Sequence, residues 1–337
     1  MARKKRISMQ KIADELGVSK VTVSKALNNK EGVSETLKSK IFRTSEKYGY
    51  ILPDYGHRKS IKIAIIMNSR FTSSINLGKF YMEMYEKIVS ELRKASCSSI
   101  MFTPANDTVD KDLETITKQE LVDGIVLLGI LDRSVREKVD AIPLPKIYVD
   151  IYDKSSRSDS VVSENIYSTY ELTEYLLQMG HKEIGFVGTI GATTSITDRY
   201  LGYQRAMLEK RLIIRNEWLI LDRSIDEGEA IDLKLPEDMP TAFVCNCDET
   251  AFRLVRLLES KGYQVPEDVS IVSFDNDIYA KLCEPKLTTV AVNMEEIGKV
   301  TAKRMISHIK DPKKKAGEVY RVAGKNIFRD SVKKLNK

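Results

Sequence analysis

Residues 19–28 read Ser-Lys-Val-Thr-Val-Ser-Lys-Ala-Leu-Asn, a run in which hydroxyls and amines recur at helical spacing. Wound as a helix, the run turns Val23, Ala26 and Leu27 inward and leaves Lys20, Val21, Ser24, Lys25 and Asn28 outward. An exposed row of hydroxyl and ammonium groups can fix phosphate oxygens, and a few side chains beside them can reach base edges. Bond-breaking chemistry finds no comparable set. Gly185, Gly188 and Gly191 follow an apolar strand but lack the Gly-x-Gly-x-x-Gly spacing of a dinucleotide site. No phosphate-loop lysine and no Gly-x-Ser-x-Gly elbow occurs. Cys245 and Cys247 are close together, but Cys97, Cys283 and the histidines His57, His181 and His308 are remote, so no zinc spacing forms. The cysteines read as free thiols of a reducing compartment. Neither catalysis, nor a metal, nor a cofactor is expected.

The elements that would position residues 19–28 are legible on both sides. Met9, Ile12, Ala13 and Leu16 stand at i, i+3, i+4 and i+7, one face of a helix with Ser8 as N-cap and Gly17 as its stop. Val18 sets an apolar side chain in the turn, and Ser19 caps the second helix. A third helix is predicted from Ser34 to about Tyr48, with Leu37, Ile41, Phe42 and Tyr48 on its apolar face and Gly49 ending it. Three short helices with a tight Gly-Val turn make a helix-turn-helix unit, which lays the start of its second helix in the DNA major groove. Charge agrees. Residues 1–60 hold 14 Lys/Arg against 6 Asp/Glu, whereas the remaining 277 residues hold 40 against 42. A basic module on a near-neutral body is the footprint of a phosphate-backbone binder.

The stretch from Ile12 to Asn28 resembles the headpiece of the lac/galactose repressor (LacI/GalR) family, through Ala13, Gly17, Val18, Ser19, Thr22, Val23, Ser24 and Asn28. Val33-Ser34 and Gly49-Tyr50 match as well. The resemblance implies that Lys20 and Val21 choose the base sequence, while Ser19, Thr22, Ser24 and Asn28 hold phosphates or the turn. Val21 has two readings, packing within the headpiece or contact with a thymine methyl. Lys25 stands where the family usually has Arg, which puts a point charge in place of a bidentate fork. Residues 53–60, Pro-Asp-Tyr-Gly-His-Arg-Lys-Ser, read as a linker. The family has a longer segment there, which folds on DNA into a hinge helix with a leucine wedge. No Ala-x-x-Leu pattern stands between Pro53 and Ile61, so weaker kinking of DNA is expected. Arg58 and Lys59 either reach phosphates or are solvated.

From Ile61 onward the pattern changes. Apolar, β-rich runs at 61–67, 98–103, 124–128, 146–149, 183–187, 241–245 and 269–273 alternate with helical periods at 79–94, 165–179, 198–210, 247–261 and 293–309. Such alternation predicts parallel sheets with helices on both faces. Two rounds, about 61–160 and 161–290, predict two α/β lobes with a C-terminal segment crossing back between them. The ligand site is expected in the cleft outside the carboxyl ends of the strands. The fold class is therefore α/β, with a helix-turn-helix headpiece (1–52) and a linker (53–60) ahead of a two-lobed sensing body (61–337).

That body is similar to the type I periplasmic-binding-protein fold which the family uses as its sensor. The resemblance is carried by Gly180-His181, Ile184-Gly185-Phe186, Val265-Pro266, Asp268-Val269-Ser270, Leu287-Thr288-Thr289-Val290 and Phe328-Arg329-Asp330-Ser331. It implies effector contacts from Arg199 in Arg-x-x-Gly-Tyr (199–203), Asp275 after Phe274, Asp150 after Val149, and Asn68 after the first strand. A guanidinium fork suits vicinal hydroxyls or a carboxylate, and an aspartate accepts from sugar hydroxyls. Two departures stand out. Cys247 replaces the family's Asn before Asp248, and residues 68–78 differ from the usual Asn-Pro-Phe-Phe stretch, part of which Phe80-Tyr81 recovers.

The expectation is a cytoplasmic, homodimeric repressor that binds a palindromic operator, its affinity set by a carbohydrate effector held between the lobes. The alternative is a regulator of the same kind that answers to a partner protein without a small molecule. No apolar run approaches the roughly 18–20 residues that span a bilayer. The basic start, Met1 to Arg6, is not followed by a signal-peptide core, so no membrane partner is expected.

Overall fold

The computed structural model describes residues 8–27, 30–48, 50, 61–69, 77–104, 109–118, 121–153, 156–225 and 228–335. Asn28, Gly49, the linker 53–60 and residues 70–76 of the atypical stretch lie outside the described residues. The chain divides into two compact units, Met1–Ile61 and Lys62–Lys337.

The first unit is built on α1 (Met9–Leu16), α2 (Lys20–Leu27) and α3 (Glu35–Lys47). Ile12, Ala13, Val23, Ala26, Leu27 and Ile41 form its buried core, closed by Met9, Leu16, Val18, Val33, Leu37 and Tyr50. Each fully buried Ile, Val or Leu contributes about 1.5–3 kcal/mol. Gly17 takes φ 64°, and the Val18 amide donates to the Ala13 carbonyl at 3.0 Å, so the turn closes on the end of α1. The Ser19 hydroxyl accepts from the Thr22 amide at 3.0 Å and caps α2. Two expectations need correction. Ser8 occupies the N-cap of α1 without a side-chain cap bond. Phe42, assigned to the apolar face of α3, is 43% exposed, because one step past the buried Ile41 turns it about 100° away from the core.

The second unit holds two six-stranded sheets. The first comprises β1 (Lys62–Met67), β2 (Ser98–Phe102), β3 (Gly124–Leu128), β4 (Lys146–Val149), β5 (Asp159–Ser163) and β11 (Val319–Val322), in the order β11-β5-β4-β3-β1-β2. All its pairings are parallel. The second comprises β6 (Ile184–Val187), β7 (Leu219–Ile220), β8 (Ala242–Cys245), β9 (Ser270–Asp275), β10 (Thr288–Ala291) and β12 (Lys325–Ile327), in the order β12-β10-β9-β8-β6-β7. Only β12 runs antiparallel. Helices cover both faces of a sheet of this kind, which explains the nearly unbroken apolar runs in β1 and β3.

The helices are α4 (Leu77–Lys94), α5 (Val109–Lys118), α6 (Arg133–Asp140), α7 (Asn165–Gln178), α8 (Thr194–Glu209), α9 (Asp248–Ser260), α10 (Ile278–Leu282) and α11 (Met294–Lys310). The chain passes between the sheets three times, after β5, after β10 and after β11. The first crossing falls after Ser163, so β5 belongs wholly to the first sheet. The returning helix α11 is tied down by Asp159, which is fully buried. Its carboxylate accepts from Arg304 Nε and His308 Nε2 at 2.8 Å each, and from the amides of Gly317 and Glu318 at 2.9 and 3.0 Å. Among the described residues, no helix is long and apolar enough to cross a membrane.

Candidate ligand cleft and DNA-facing helix

The carboxyl ends of the two sheets face one cavity of about 570 Å³, part of it open to solvent. Asp150 follows β4 and Asp275 ends β9. Both take positive φ, 64° and 109°, a region that residues with a Cβ seldom occupy. Such strain persists only where surrounding contacts over-determine it. Asp150 is 6% exposed. Tyr81, from α4, donates to its Oδ2 at 2.8 Å, while Oδ1 is buried with no hydrogen-bond partner. Burial pushes Asp150 up to about 6, against the opposing pull of the Arg199 charge and the Tyr81 hydroxyl.

Arg199 stands in the first half of α8 and is buried. Its Nε donates to Asn165 Oδ1 at 2.9 Å, Nη1 to the Asn246 carbonyl at 2.5 Å, and Nη2 to Asp275 Oδ1 at 3.3 Å. Its guanidinium lies 3.8 Å from the centre of the Phe274 ring. One side chain thus ties together α7, α8, the end of β8 and the end of β9. Burial raises Asp275, and the charges of Arg199 and Arg223 oppose that rise. The motif glycine three residues after Arg199 is a packing necessity: a Cβ on Gly202 would overlap the Ile166 carbonyl oxygen and lie 2.9 Å from the Tyr170 amide. Its absence lets α8 press against α7.

A second guanidinium, Arg223, completes the wall. It donates to Asp222 Oδ2 from Nε at 3.0 Å and from Nη2 at 2.7 Å, and Nη2 also meets Asn246 Oδ1 at 3.3 Å and Cys247 Sγ at 3.7 Å. Burial pushes Asp222 up, but Arg223 and the donors Thr250 and Asn246 outweigh it and hold the carboxyl at about 2. Burial drives Cys247 up to about 12 despite Arg223, so it stays a thiol. Glu249 and Asp277 line the same cavity. Burial raises both, and Asp277 reaches about 6 with the help of the nearby Asp275 charge. Among the described residues, no group of three or more His, Cys, Asp or Glu is placed to hold a metal.

Of the four residues singled out for this cleft, the structure brings Asp150, Arg199 and Asp275 together. Asn68 lies past the end of β1, donates to Asp132 Oδ1 at 3.4 Å, and does not line the cavity. Sequence reasoning passed over Arg223, Asn246, Glu249 and Asp277. The departure at Cys247 was the available signal, since Asn246 and Glu249 flank it.

On the headpiece, Lys20 and Lys25 are exposed on α2, and Thr22 and Ser24 are half-buried. Val21 is 65% exposed. It therefore packs into no core of the headpiece, which removes one of its two readings. The Ser19 and Thr22 hydroxyls stand 2.8 Å apart, so the cap and the outer face share one hydrogen-bonded pair.

A helix-turn-helix headpiece joined to a two-lobed α/β body with a polar interlobe cavity defines a DNA-binding transcriptional regulator. Comparison with known proteins places it more closely. Residues 8–52 match the lacI family of bacterial regulatory proteins, and residues 173–332 match the periplasmic binding protein-like domain. The HTH-type transcriptional regulator RegA of Clostridium saccharobutylicum is 30% identical over 311 residues, 89% of this chain and 91% of that one. The solved complex of the regulator CelR with cellobiose shares the fold at TM-score 0.67 and 19% identity, covering 97% of this chain and 100% of that chain. The lac repressor dimer bound to operator gives TM-score 0.69 and 17% identity over 98% and 100%. The chain belongs to the LacI family of transcriptional regulators and is not an enzyme.

Proposed function

We propose that this protein is a cytoplasmic repressor that binds a palindromic operator as a homodimer and releases or grips it according to a small molecule, a sugar or sugar derivative, held in the interlobe cavity. Asp150, Arg199 and Asp275 are the contacts on the effector side. Ser19, Lys20, Val21, Thr22, Ser24, Lys25 and Asn28 are the contacts on the DNA side. The reading is supported above all by Arg199, a buried guanidinium that lines the cavity while tying two lobe elements and a strand-end carboxylate together. A ligand there reaches both lobes, and its differential affinity for their arrangements shifts the operator equilibrium. The relatives supply the operator by analogy, since one solved neighbour is a dimer on operator DNA, and the carbohydrate by analogy with the cellobiose complex.

Calorimetry of the full chain against pentoses, hexoses and disaccharides tests it. At least one is expected to bind, and Arg199→Ala is expected to abolish that binding and the ligand's effect on operator affinity. Operator affinity without ligand should stay within about threefold, which is well under 1.4 kcal/mol. Equal loss of both functions would remove Arg199 from the effector site. Silence across the panel would favour control by a partner protein.

A further inference from the structure

We propose that the molecule bound in the cleft carries a protonated amino group among its hydroxyls, and no phosphate or carboxylate. This rests on the reading that the cleft holds a small-molecule effector. Four acidic and two basic side chains line the cavity: Asp150, Glu249, Asp275 and Asp277 against Arg199 and Arg223. Both guanidiniums are already paired inside the protein. Arg199 is engaged by Asn165, Asn246 and Asp275, and Arg223 by the fully buried Asp222. Asp150, Glu249 and Asp277 form no ion pair among the described residues.

Asp150 adds an independent observation. Its Oδ1 is buried and accepts no hydrogen bond, although the residue lines the cavity. A buried acceptor without a donor costs free energy until a donor arrives. The basic groups nearby do not supply one. Lys79 and Lys281 line an adjoining recess that shares Phe80, Asp275 and Asp277 with the cavity, and both are exposed to solvent. A wall rich in acceptors and short of free cations selects a ligand rich in donors. An ammonium group offers three donors and no acceptor, and its charge is attracted where a phosphate would be repelled. Burial raises Asp150 and Asp277 to about 6, so a cation placed against them favours their ionised form.

The test is calorimetry of the full chain at pH 7.5 with matched trios: glucosamine, glucose and glucuronate; galactosamine, galactose and galacturonate; 1-amino-1-deoxysorbitol, sorbitol and gluconate. In any trio that binds, the amine is expected to be tighter than the hydroxyl compound by roughly tenfold or more, with the acid weakest. Asp150→Asn, shown to be folded by circular dichroism and melting, should bring the amine-to-hydroxyl ratio towards one. A hydroxyl or acid member binding most tightly would overturn the inference while leaving the cleft reading intact. So would an amine advantage that survives both Asp150→Asn and Asp277→Asn. Silence of all nine compounds would overturn the inference, and silence of the pentoses and disaccharides as well would overturn the cleft reading with it.

Discussion

At the scale of single residues, the cleft is governed by buried charges whose partners are unequal. Asp222 is saturated with donors and sits at about 2, whereas Asp150 has one donor and sits at about 6. The sign of the linkage follows. A carboxyl whose folded pKa lies above its unfolded value of 3.8 binds its proton more tightly when folded. Its contribution to stability is fullest below the unfolded pKa and is lost as pH rises through the window up to about 6. Asp150→Asn, which keeps a residue tolerant of positive φ, should therefore raise the melting temperature at pH 7.5, by an amount on the order of 1–3 kcal/mol in stability. The gain should fade as pH drops below about 4. A melting temperature unchanged or lowered at pH 7.5 would show that Asp150 is not held against its ionisation. On the headpiece, Val21 and Lys20 are exposed, and the proposed function has them read the base sequence. Substituting either is expected to change the preferred bases, each altered base pair shifting affinity by about 1–3 kcal/mol, while Lys25→Ala should weaken all sequences alike. Competition binding on a set of single-base operator variants separates these outcomes.

At the scale of elements, what positions the site is close helix packing and strand-end geometry. Gly202 admits α7 to within contact of α8, and α8 carries Arg199. Gly202→Ala should lower stability by about 2–4 kcal/mol in a denaturant melt, since backbone and not a flexible side chain must give way. An unchanged midpoint would mean that α7 can recoil without cost. The same elements mark how far the sequence was readable. The helical faces of α1 and α2, and the strands β1, β3, β4, β6 and β8, are long or periodic enough to announce themselves. The helices α5, α6 and α10 and the strands β5, β7, β10, β11 and β12 went unread. They are short or polar, and β7 and β12 have two and three residues, so their pairing is set by the neighbouring strands and not by their own pattern. Asp150, Arg199 and Asp275 were reached through family resemblance at strand ends and one helix motif. Arg223 and Asp277 were not, because neither stands in a motif that the resemblance singles out, and only the fold brings them to the same cavity. Phe42 shows the converse failure, an apolar residue one step off the face that its neighbour Ile41 defines.

At the scale of the whole molecule, three crossings join the two sheets, and Asp159 fastens the returning helix and β11 to the first of them. Connections of this kind let lobes change arrangement as bodies around a bound molecule, which is the physical route that the proposed function takes from an interlobe ligand to a change in DNA affinity. The other half of that route is the basic headpiece, whose charge excess lies within the first 60 residues while the remainder is nearly neutral. Everything functional depends on that headpiece engaging DNA through α2. The most direct measurement is selection of binding sites by the full chain from random double-stranded oligonucleotides, followed by affinity at two salt concentrations. A twofold-symmetric motif should be enriched, and its affinity should fall by about tenfold or more between 50 and 200 mM salt. No enriched motif, or an affinity indifferent to salt, would contradict the account.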